Sequence, residues 1–430
     1  MIWTTAIALL GLMALSIPVG IVLFLLGIGV GQFYSAFPLL RGMGQVIWSS
    51  SNSSTLIAIP LFVLLGEILV RGGVAERTYA ALDKWLSWLP GGLVHANIAT
   101  ATMFSATSGS SVATAATVAT VAMPQAERLN YDPRLFSGAI AAGGTLGILI
   151  PPSINLIVYG FLTETSIPRL FSAGLVPGLL MALAFIAVTA AICWVRPGLG
   201  GPSRGFSWAE RARSLTQLVP IVVLFVVVIG SIYAGWATPT ESAAIGVAIA
   251  ALIAILLGDG LGPRALSEAL HGTIRISAMI MLVVTGATFL NFAMTSAGLG
   301  RQLTDLIGGS GLSPFGTLLL VIALYLVLGF FIETLSLMVA TIPIVVPIIA
   351  GLGYDKVWFG VLLIVLIEMA LITPPVGMNA FVYSGAVREA GLDRIFRGLV
   401  PFVLADLVVV ALLIAFPGIV SFLPSMSGAQ

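Results

Sequence analysis

Apolar segments separated by short polar breaks run along the whole chain, at about 2–16, 18–35, 46–70, 92–107, 111–126, 134–160, 168–195, 216–235, 238–258, 273–297, 314–331, 335–350, 356–385 and 396–420. Segments of roughly 20 apolar residues predict membrane-spanning helices, because that length crosses the hydrocarbon core. Strict apolar–polar alternation, which a transmembrane β-barrel needs, is missing. Segments 2–16 and 18–35 also read as one long tilted span. Four segments are short for a full crossing and come as two pairs, 92–126 and 314–350. Each pair is joined by a polar turn, Ser105-Ala106-Thr107-Ser108-Gly109-Ser110-Ser111 and Gly329-Phe330-Phe331-Ile332-Glu333-Thr334. Such pairs predict re-entrant hairpins. Non-helical backbone at membrane depth is tolerated only inside protein or beside water, so the tips should sit at a cavity.

The chain resembles itself at an offset of 223 residues. Pro124 falls on Pro347, Leu129 on Leu352, Tyr131 on Tyr354, Asp132 on Asp355, Phe136 on Phe359, and Pro151-Pro152 on Pro374-Pro375. One gap later, Leu175-Val176-Pro177 matches Leu399-Val400-Pro401. Each half therefore reads as a hairpin, a Tyr-Asp turn, a helix broken at Pro-Pro, and a further helix. Five spans and a hairpin per half is an odd number, which predicts halves of opposite orientation. Placing residues 196–215 in the cytoplasm puts fourteen of the eighteen basic residues there and leaves Arg41, Arg169, Arg301 and Lys356 on the far side. That asymmetry obeys the positive-inside rule. The expected organisation is a first repeat over 1–195, a cytoplasmic linker over 196–215 and a second repeat over 216–430. The fold class is an all-α polytopic membrane protein with an inverted-topology repeat, two re-entrant hairpins, and broken helices at 134–160 and 356–385. Inverted repeats with discontinuous helices are the pattern of secondary transporters, whose sites lie near the bilayer midplane.

Composition narrows the classes. Of 430 residues, 59% are hydrophobic and 8% charged, against about a quarter charged in soluble domains. A soluble fold and a disordered chain are excluded. The net charge of +1 gives no field for nucleic acid. One cysteine, Cys193, and two histidines build neither a disulfide framework nor a familiar zinc cluster. There is no Walker loop for ATP and no His-Glu-x-x-His, and His95 lacks partners for a serine protease. An enzyme is not expected. A channel fits less well than a carrier, because two opposed hairpins suit alternating access. Residues 74–90 are amphipathic, with Trp85 and Trp88 at the interface and Arg77 and Lys84 toward headgroups, and predict an arm on the membrane. Residues 261–275 form a similar stretch.

The chemistry gathers at the breaks. Proline lacks a backbone donor and clashes with the turn before it, so two in a row free several carbonyls. Free carbonyls are hard oxygen ligands suited to Na⁺. The following half-helix offers N–H groups and a positive dipole end, suited to a carboxylate. The Na⁺ candidates are Ser105, Thr107, Ser108, Gly109, Ser110, Pro151 and Asn155 on the first side. On the second they are Glu333, Thr334, Thr373, Pro374, Gly377 and Asn379. The carboxylate candidates are Ser110, Ser111, Pro152, Ser153, Ser336, Pro375 and Asn379. Thr114, Thr117 and Thr120 are assigned to packing. Glu67 and Glu241 lie near span ends and read as interfacial, and Asp406 as paired with a polar neighbour. Glu368, shortly before the second Pro-Pro, is a candidate ion ligand or structural carboxylate, since a charge at this depth is costly and usually paired. No cofactor and no metal beyond Na⁺ is expected.

Five motifs together resemble the large membrane subunit of tripartite ATP-independent periplasmic (TRAP) transporters, in the ion-transporter superfamily. They are Ser-Gly-Ser-Ser at 108–111, Gly-Ile-Leu-Ile-Pro-Pro-Ser at 147–153, Thr-Pro-Thr-Glu-Ser at 238–242, Pro-Ile-Val-Val-Pro at 343–347 and Ile-Thr-Pro-Pro-Val-Gly-Met-Asn at 372–379. The resemblance spans nearly the whole chain. It implies Na⁺-driven symport of an organic acid, such as a C4-dicarboxylate or sialic acid, across the bacterial inner membrane by an elevator motion. It also implies a periplasmic substrate-binding protein and a small four-helix membrane subunit, expected here as a separate chain because Met1 opens on the large subunit. The resemblance places the ion sites at each hairpin tip with its Pro-Pro break. Glu333 departs from the family, which usually has aspartate there. A symporter of the same superfamily working without a binding protein is the alternative.

Overall fold

The computed structural model describes all residues except 36–37, 110, 203, 258–260, 301, 303–310, 387–390 and 427–430. Among the described residues the secondary structure is helical throughout, with no strand. Eight helices, counting 133–163 as one interrupted helix, are long and apolar enough to cross a membrane by length and composition.

The chain opens with α1 (Ile2–Ala14) and α2 (Val19–Tyr34), which are two helices because Ser16 takes a left-handed φ of +60° between them. The segment expected at 46–70 divides at Asn52-Ser53 into α3 (Leu40–Ser51) and α4 (Ser54–Arg71). Two short-side-chain residues that favour caps over helix interiors mark the division. Next come the arm α5 (Val74–Leu86) and the first helical pair, α6 (Leu93–Ser108) and α7 (Ser111–Arg128). The first broken helix is α8 (Pro133–Leu149) with α9 (Ile154–Thr163), followed by the long α10 (Ile167–Val195). A short 3-10 turn at Pro197–Leu199 leads to α11 (Trp208–Tyr233), which takes up the second half of the expected linker. Then follow α12 (Pro239–Leu256) and α13 (Pro263–Ser296). The amphipathic stretch at 261–275 is thus the first third of one continuous helix rather than a separate arm. The second pair is α14 (Pro314–Gly329) and α15 (Thr334–Gly351), and the second broken helix is α16 (Lys356–Ile372) with α17 (Met378–Ala386). The chain closes with α18 (Leu392–Ala415) and α19 (Gly418–Met426).

Residues matched at the 223 offset do matching work. Asp132 caps α8, its carboxylate accepting the amides of Arg134 and Leu135 at 2.9 and 3.0 Å. Asp355 caps α16 by accepting the amide of Trp358 at 2.8 Å. Both Pro-Pro peptide bonds are cis. The Thr-Pro-Thr-Glu stretch starts α12 with a reciprocal capping box between Thr238 and Glu241, so that motif is a helix-start signal.

The two broken helices lie deepest. Every residue of α8 from Leu135 to Leu149, and every residue of α16 from Val357 to Ile372, is buried. Helices α11 and α12 instead bury one face and expose apolar residues such as Val219, Val226, Leu252 and Ile255 on the other, as lipid-facing helices do. The arm is clamped to protein. Asp83 pairs with Arg204, Trp85 donates to the carbonyl of Arg211 at 3.1 Å, and the Trp85 ring meets Trp208 edge to face. Arg77 donates to the carbonyl of Leu257, and Trp88 is exposed as expected. Burial raises the Asp83 pKa above the usual carboxylate value, and the Arg204 guanidinium offsets part of that shift.

Candidate functional site

Both hairpin tips and both breaks converge on one cavity of about 140 Å³. From the first half come Gly109, Ser111, Ile148, Ile154 and Asn155, and from the second Glu333, Thr334, Leu371 and Met378. The wall opposite is made by α4 and α13, through Val63, Glu67, Ile276, Met279 and Ile280. A wider hollow of about 740 Å³ lies at the other end of α4; it is lined by Thr238, Pro239 and Thr240 of the 238–242 motif and by none of the candidate ion or carboxylate ligands.

Local chemistry explains each placement. Gly109 ends α6 at φ +60°, a conformation in which a Cβ is strained. A Cβ there would also stand 3.2 Å from the carbonyl oxygen of Pro152, so the tip rests directly on the break. Across the break, Ser153 caps α9: its hydroxyl accepts the amide of Leu156 at 3.2 Å and donates to the carbonyl of Ile148. Ser105 donates to the carbonyl of Ala101, and Thr373 to that of Met369 at 2.6 Å. A hydroxyl that gives its proton to a carbonyl still has lone pairs for a cation. Asn155 is 6% exposed, and its side-chain nitrogen has no partner among the described residues. Asn379, one gap out of register with Asn155, is fully buried. Its amide donates to the carbonyl of Ala141 at 3.1 Å, and its oxygen has no partner among the described residues.

Glu333 caps α15. Its two carboxylate oxygens accept the amides of Leu335 and Ser336 at 3.0 and 2.9 Å, which fixes the acid at the tip and in the cavity wall. The second break differs from the first in exposure: Pro151, Pro152 and Ser153 are buried, whereas Pro374 and Pro375 are exposed. Gly377 takes φ +58° just after that break, with the Phe396 ring 2.7 Å from where a Cβ would stand.

Of the candidate residues, Gly109, Ser111, Asn155, Glu333 and Thr334 line the cavity. Ser105, Pro151, Pro152, Ser153, Ser336, Thr373, Pro374, Pro375, Gly377 and Asn379 belong to the surrounding tips and breaks without lining it. Ser110 lies outside the described residues, as do the side chains of Thr107 and Ser108. Glu368 and Asp406 stand on neighbouring helices, fully buried, close enough for their charges to act on each other. Among the described residues neither Asp406 oxygen has a hydrogen-bond partner, and its nearest charged neighbour is Glu368 on α16. The sequence reading missed Glu67, assigned to the interface. It lines the cavity, pairs with Arg71, and lies against Gly272, whose missing Cβ would meet its carboxylate at 2.9 Å. A glycine facing an acid across two spans is the one signal that points to it, and it is readable only once the helices are paired.

Long apolar helices, two of them interrupted inside the protein beside a shared cavity, define by class a multi-pass helical membrane protein. Residues 6–419 match the family described as "Tripartite ATP-independent periplasmic transporter, DctM component". The chain is 32% identical over 389 residues to the C4-dicarboxylate TRAP transporter large permease protein DctM of Pseudomonas aeruginosa, covering 90% of each. It is 31% identical over 417 residues to the sialic acid TRAP transporter large permease protein SiaM of Vibrio cholerae, covering 97% of each. Its fold is similar to that of the YdaH transporter of Alcanivorax borkumensis, at a TM-score of 0.63 and 16% identity, covering 94% of this chain and 98% of that one. The chain belongs to the TRAP transporter large permease family, whose members are permeases and not enzymes.

Proposed function

We propose that the chain is the large permease subunit of a Na⁺-driven importer of an organic acid. The observation that carries this reading is the cavity in which both tips and both breaks meet. Carbonyls, hydroxyls, two half-helix N-termini and two carboxylates, Glu333 at the tip and Glu67 in the facing wall, surround a space of a size that suits desolvated ions, which supports this reading.

One Na⁺ site is formed by the first tip (Ser105, Thr107, Ser108, Gly109, Ser110) with Pro151 and Asn155. A second is formed by Glu333 and Thr334 with Thr373, Pro374, Gly377 and Asn379. The substrate carboxylate sits between them, on the N–H groups after the breaks, near Ser110, Ser111, Pro152, Ser153, Ser336, Pro375 and Asn379. Positive ions completing the site before the anion binds account for obligate coupling. Each net positive charge carried inward gains roughly 2.3 kcal/mol per 100 mV, so two at that voltage sustain about three decades of accumulation.

The inverted repeat, with the tips and broken helices moving as a unit against α4, α11, α12 and α13, makes an elevator. The deep burial of α8 and α16 beside the one-sided burial of α11 and α12 supports that division. The names of the family and its members, tripartite, periplasmic and large permease, support two partners in the bacterial inner membrane and periplasm. These are a smaller membrane subunit and a periplasmic substrate-binding protein, and the binding protein would set much of the choice of acid.

The test is uptake into proteoliposomes holding this chain and its small subunit, with binding protein loaded with a C4-dicarboxylate or a sialic acid outside. Uptake that requires both an inward Na⁺ gradient and the binding protein is expected. Equal uptake without Na⁺ overturns the coupling, and equal uptake by this chain alone favours a binding-protein-independent symporter.

A further inference from the structure

Three arginines from three helices meet at one groove away from the transport cavity. Arg134 stands in the first turn of α8, Arg196 caps the end of α10, and Arg397 lies in the second turn of α18. They line a groove of about 530 Å³. The backbone dictates the convergence. Gly398 packs so tightly on α8 that a Cβ on it would stand 1.9 Å from the carbonyl oxygen of Arg134, which leaves Arg397 beside Arg134. Arg196 arrives at the negative end of the α10 dipole, a favourable place for one cation. Three together repel one another unless an anion sits among them.

The described acids nearby supply it only in part. Asp132, also on the groove, brings one negative charge, its Oδ1 accepting the amides that cap α8. Asp393 pairs with Arg397 at 3.2 Å, an exposed pair of little strength. Neither Arg134 nor Arg196 has an ion-pair partner among the described residues.

The rest of the groove is apolar. Ile192, Val195, Leu199 and Pro401 share it with the arginines. The same two helices carry a lipid-facing track onward. Leu179 and Leu183 are exposed along α10, and Val400, Leu404 and Val408 along α18 at four-residue spacing. Phe185 and Phe402 close the seam beneath, ring centres 5.4 Å apart. Trp194, next to Val195, is 81% exposed, and an outward tryptophan at a helix end marks the level of the lipid headgroups. A cationic pocket at headgroup level, opening onto an apolar track, fits an anion that carries acyl chains.

We propose that the groove between the start of α8, the end of α10 and the start of α18 binds a phospholipid with an anionic headgroup. The headgroup neutralises Arg134, Arg196 and Arg397, and its acyl chains lie along the exposed faces of α10 and α18. A zwitterionic lipid leaves part of the charge uncompensated and binds less well. The proposal is independent of the substrate and coupling ion, since none of these residues touches the transport cavity.

The experiment uses the full chain in nanodiscs of phosphatidylcholine, with or without phosphatidylglycerol or cardiolipin, and counts retained lipids by native mass spectrometry. Wild type is expected to retain the anionic lipids over phosphatidylcholine. Retention should fall by roughly fivefold for each arginine removed across R134Q, R196Q and R397Q. The R134K/R196K/R397K variant keeps most of it, which separates charge from misfolding, and R213Q, an exposed arginine elsewhere, leaves it unchanged. Three results overturn the proposal: equal retention of phosphatidylcholine, an equal loss in R213Q, or displacement by free inorganic phosphate at matched concentration. Loss of the retained lipid when the small subunit is bound also overturns it, because the groove is then a protein interface.

Discussion

The two halves carry the same Pro-Pro break in different surroundings. Around the first, Pro151, Pro152 and Ser153 are buried, Gly109 is seated on Pro152, and the hydroxyls of Ser105 and Ser153 are tied to carbonyls. Around the second, Pro374 and Pro375 are exposed, and the tip is fixed by one acid, Glu333, holding two amides. The first break is held by backbone-to-backbone fit and the second by a charged cap and an aromatic floor. A duplicated motif therefore fixes where the chain leaves the helix, while the packing around each copy decides how rigid it is.

The sharpest way to break this comparison is at the glycines that precede Leu-Val-Pro in each half. A Cβ on Gly398 would stand 1.9 Å from backbone, and one on Gly174 would stand 2.9 Å from the carbonyl of Leu149. Gly398→Ala is expected to cost about 3 kcal/mol or more and to yield little folded protein in fluorescence size-exclusion chromatography. Gly174→Ala should cost less, with a measurable but smaller fall in melting temperature. Equal losses would mean that the two copies pack alike.

Next come the tips. Gly109→Ala meets both a left-handed φ and the Pro152 carbonyl and should lower uptake by roughly tenfold, from about 1–2 kcal/mol of strain. Gly377→Ala faces the same φ but only a ring that can swing away, and should lose less. Glu333→Ala should remove the α15 cap at a cost of about 1 kcal/mol, read as a lower melting temperature without Na⁺. Glu333→Asp keeps a good cap and should lie near wild type in that assay.

The smallest effect lies far from both breaks. Burial raises the folded-state pKa of Asp83, so the stability linked to its neutral form is complete below the unfolded pKa and is lost as pH rises through the folded one. Arg204→Gln removes the cation that limits this shift. Its melting temperature should therefore fall further below wild type as pH rises across the carboxylate range. A difference independent of pH would deny Asp83 that role.

The breaks, the tips and the two Tyr-Asp helix starts were legible in the sequence because each is a polar or proline-rich interruption of an apolar run, repeated at one offset. Glu333 was legible as a tip acid, but its duty as a cap was not, since capping depends on which backbone amides turn back toward it. The wall facing the tips was not legible at all. Val63, Ile276, Met279 and Ile280 are apolar residues in apolar helices, and nothing local separates a cavity wall from a lipid-facing side chain. Glu67 does lie near a helix end, but its place in the cavity wall was not legible for the related reason that it depends on which helices pair. The split at Asn52-Ser53 and the unbroken α13 show the same limit. Polarity marks an interruption, but tertiary packing decides whether the helix ends there.

The central claim is that the two tip-and-break units together hold Na⁺, and a Na⁺ titration of organic-acid uptake in proteoliposomes tests it most directly. Wild type is compared with Asn155→Ala, Asn379→Ala and an exposed control, Trp88→Ala. Both asparagine variants should need several-fold more Na⁺ for half-maximal uptake while the control does not, a shift of about 1 kcal/mol per lost ligand. Unchanged Na⁺ dependence in both asparagine variants would contradict the assignment of the ion sites to the paired breaks.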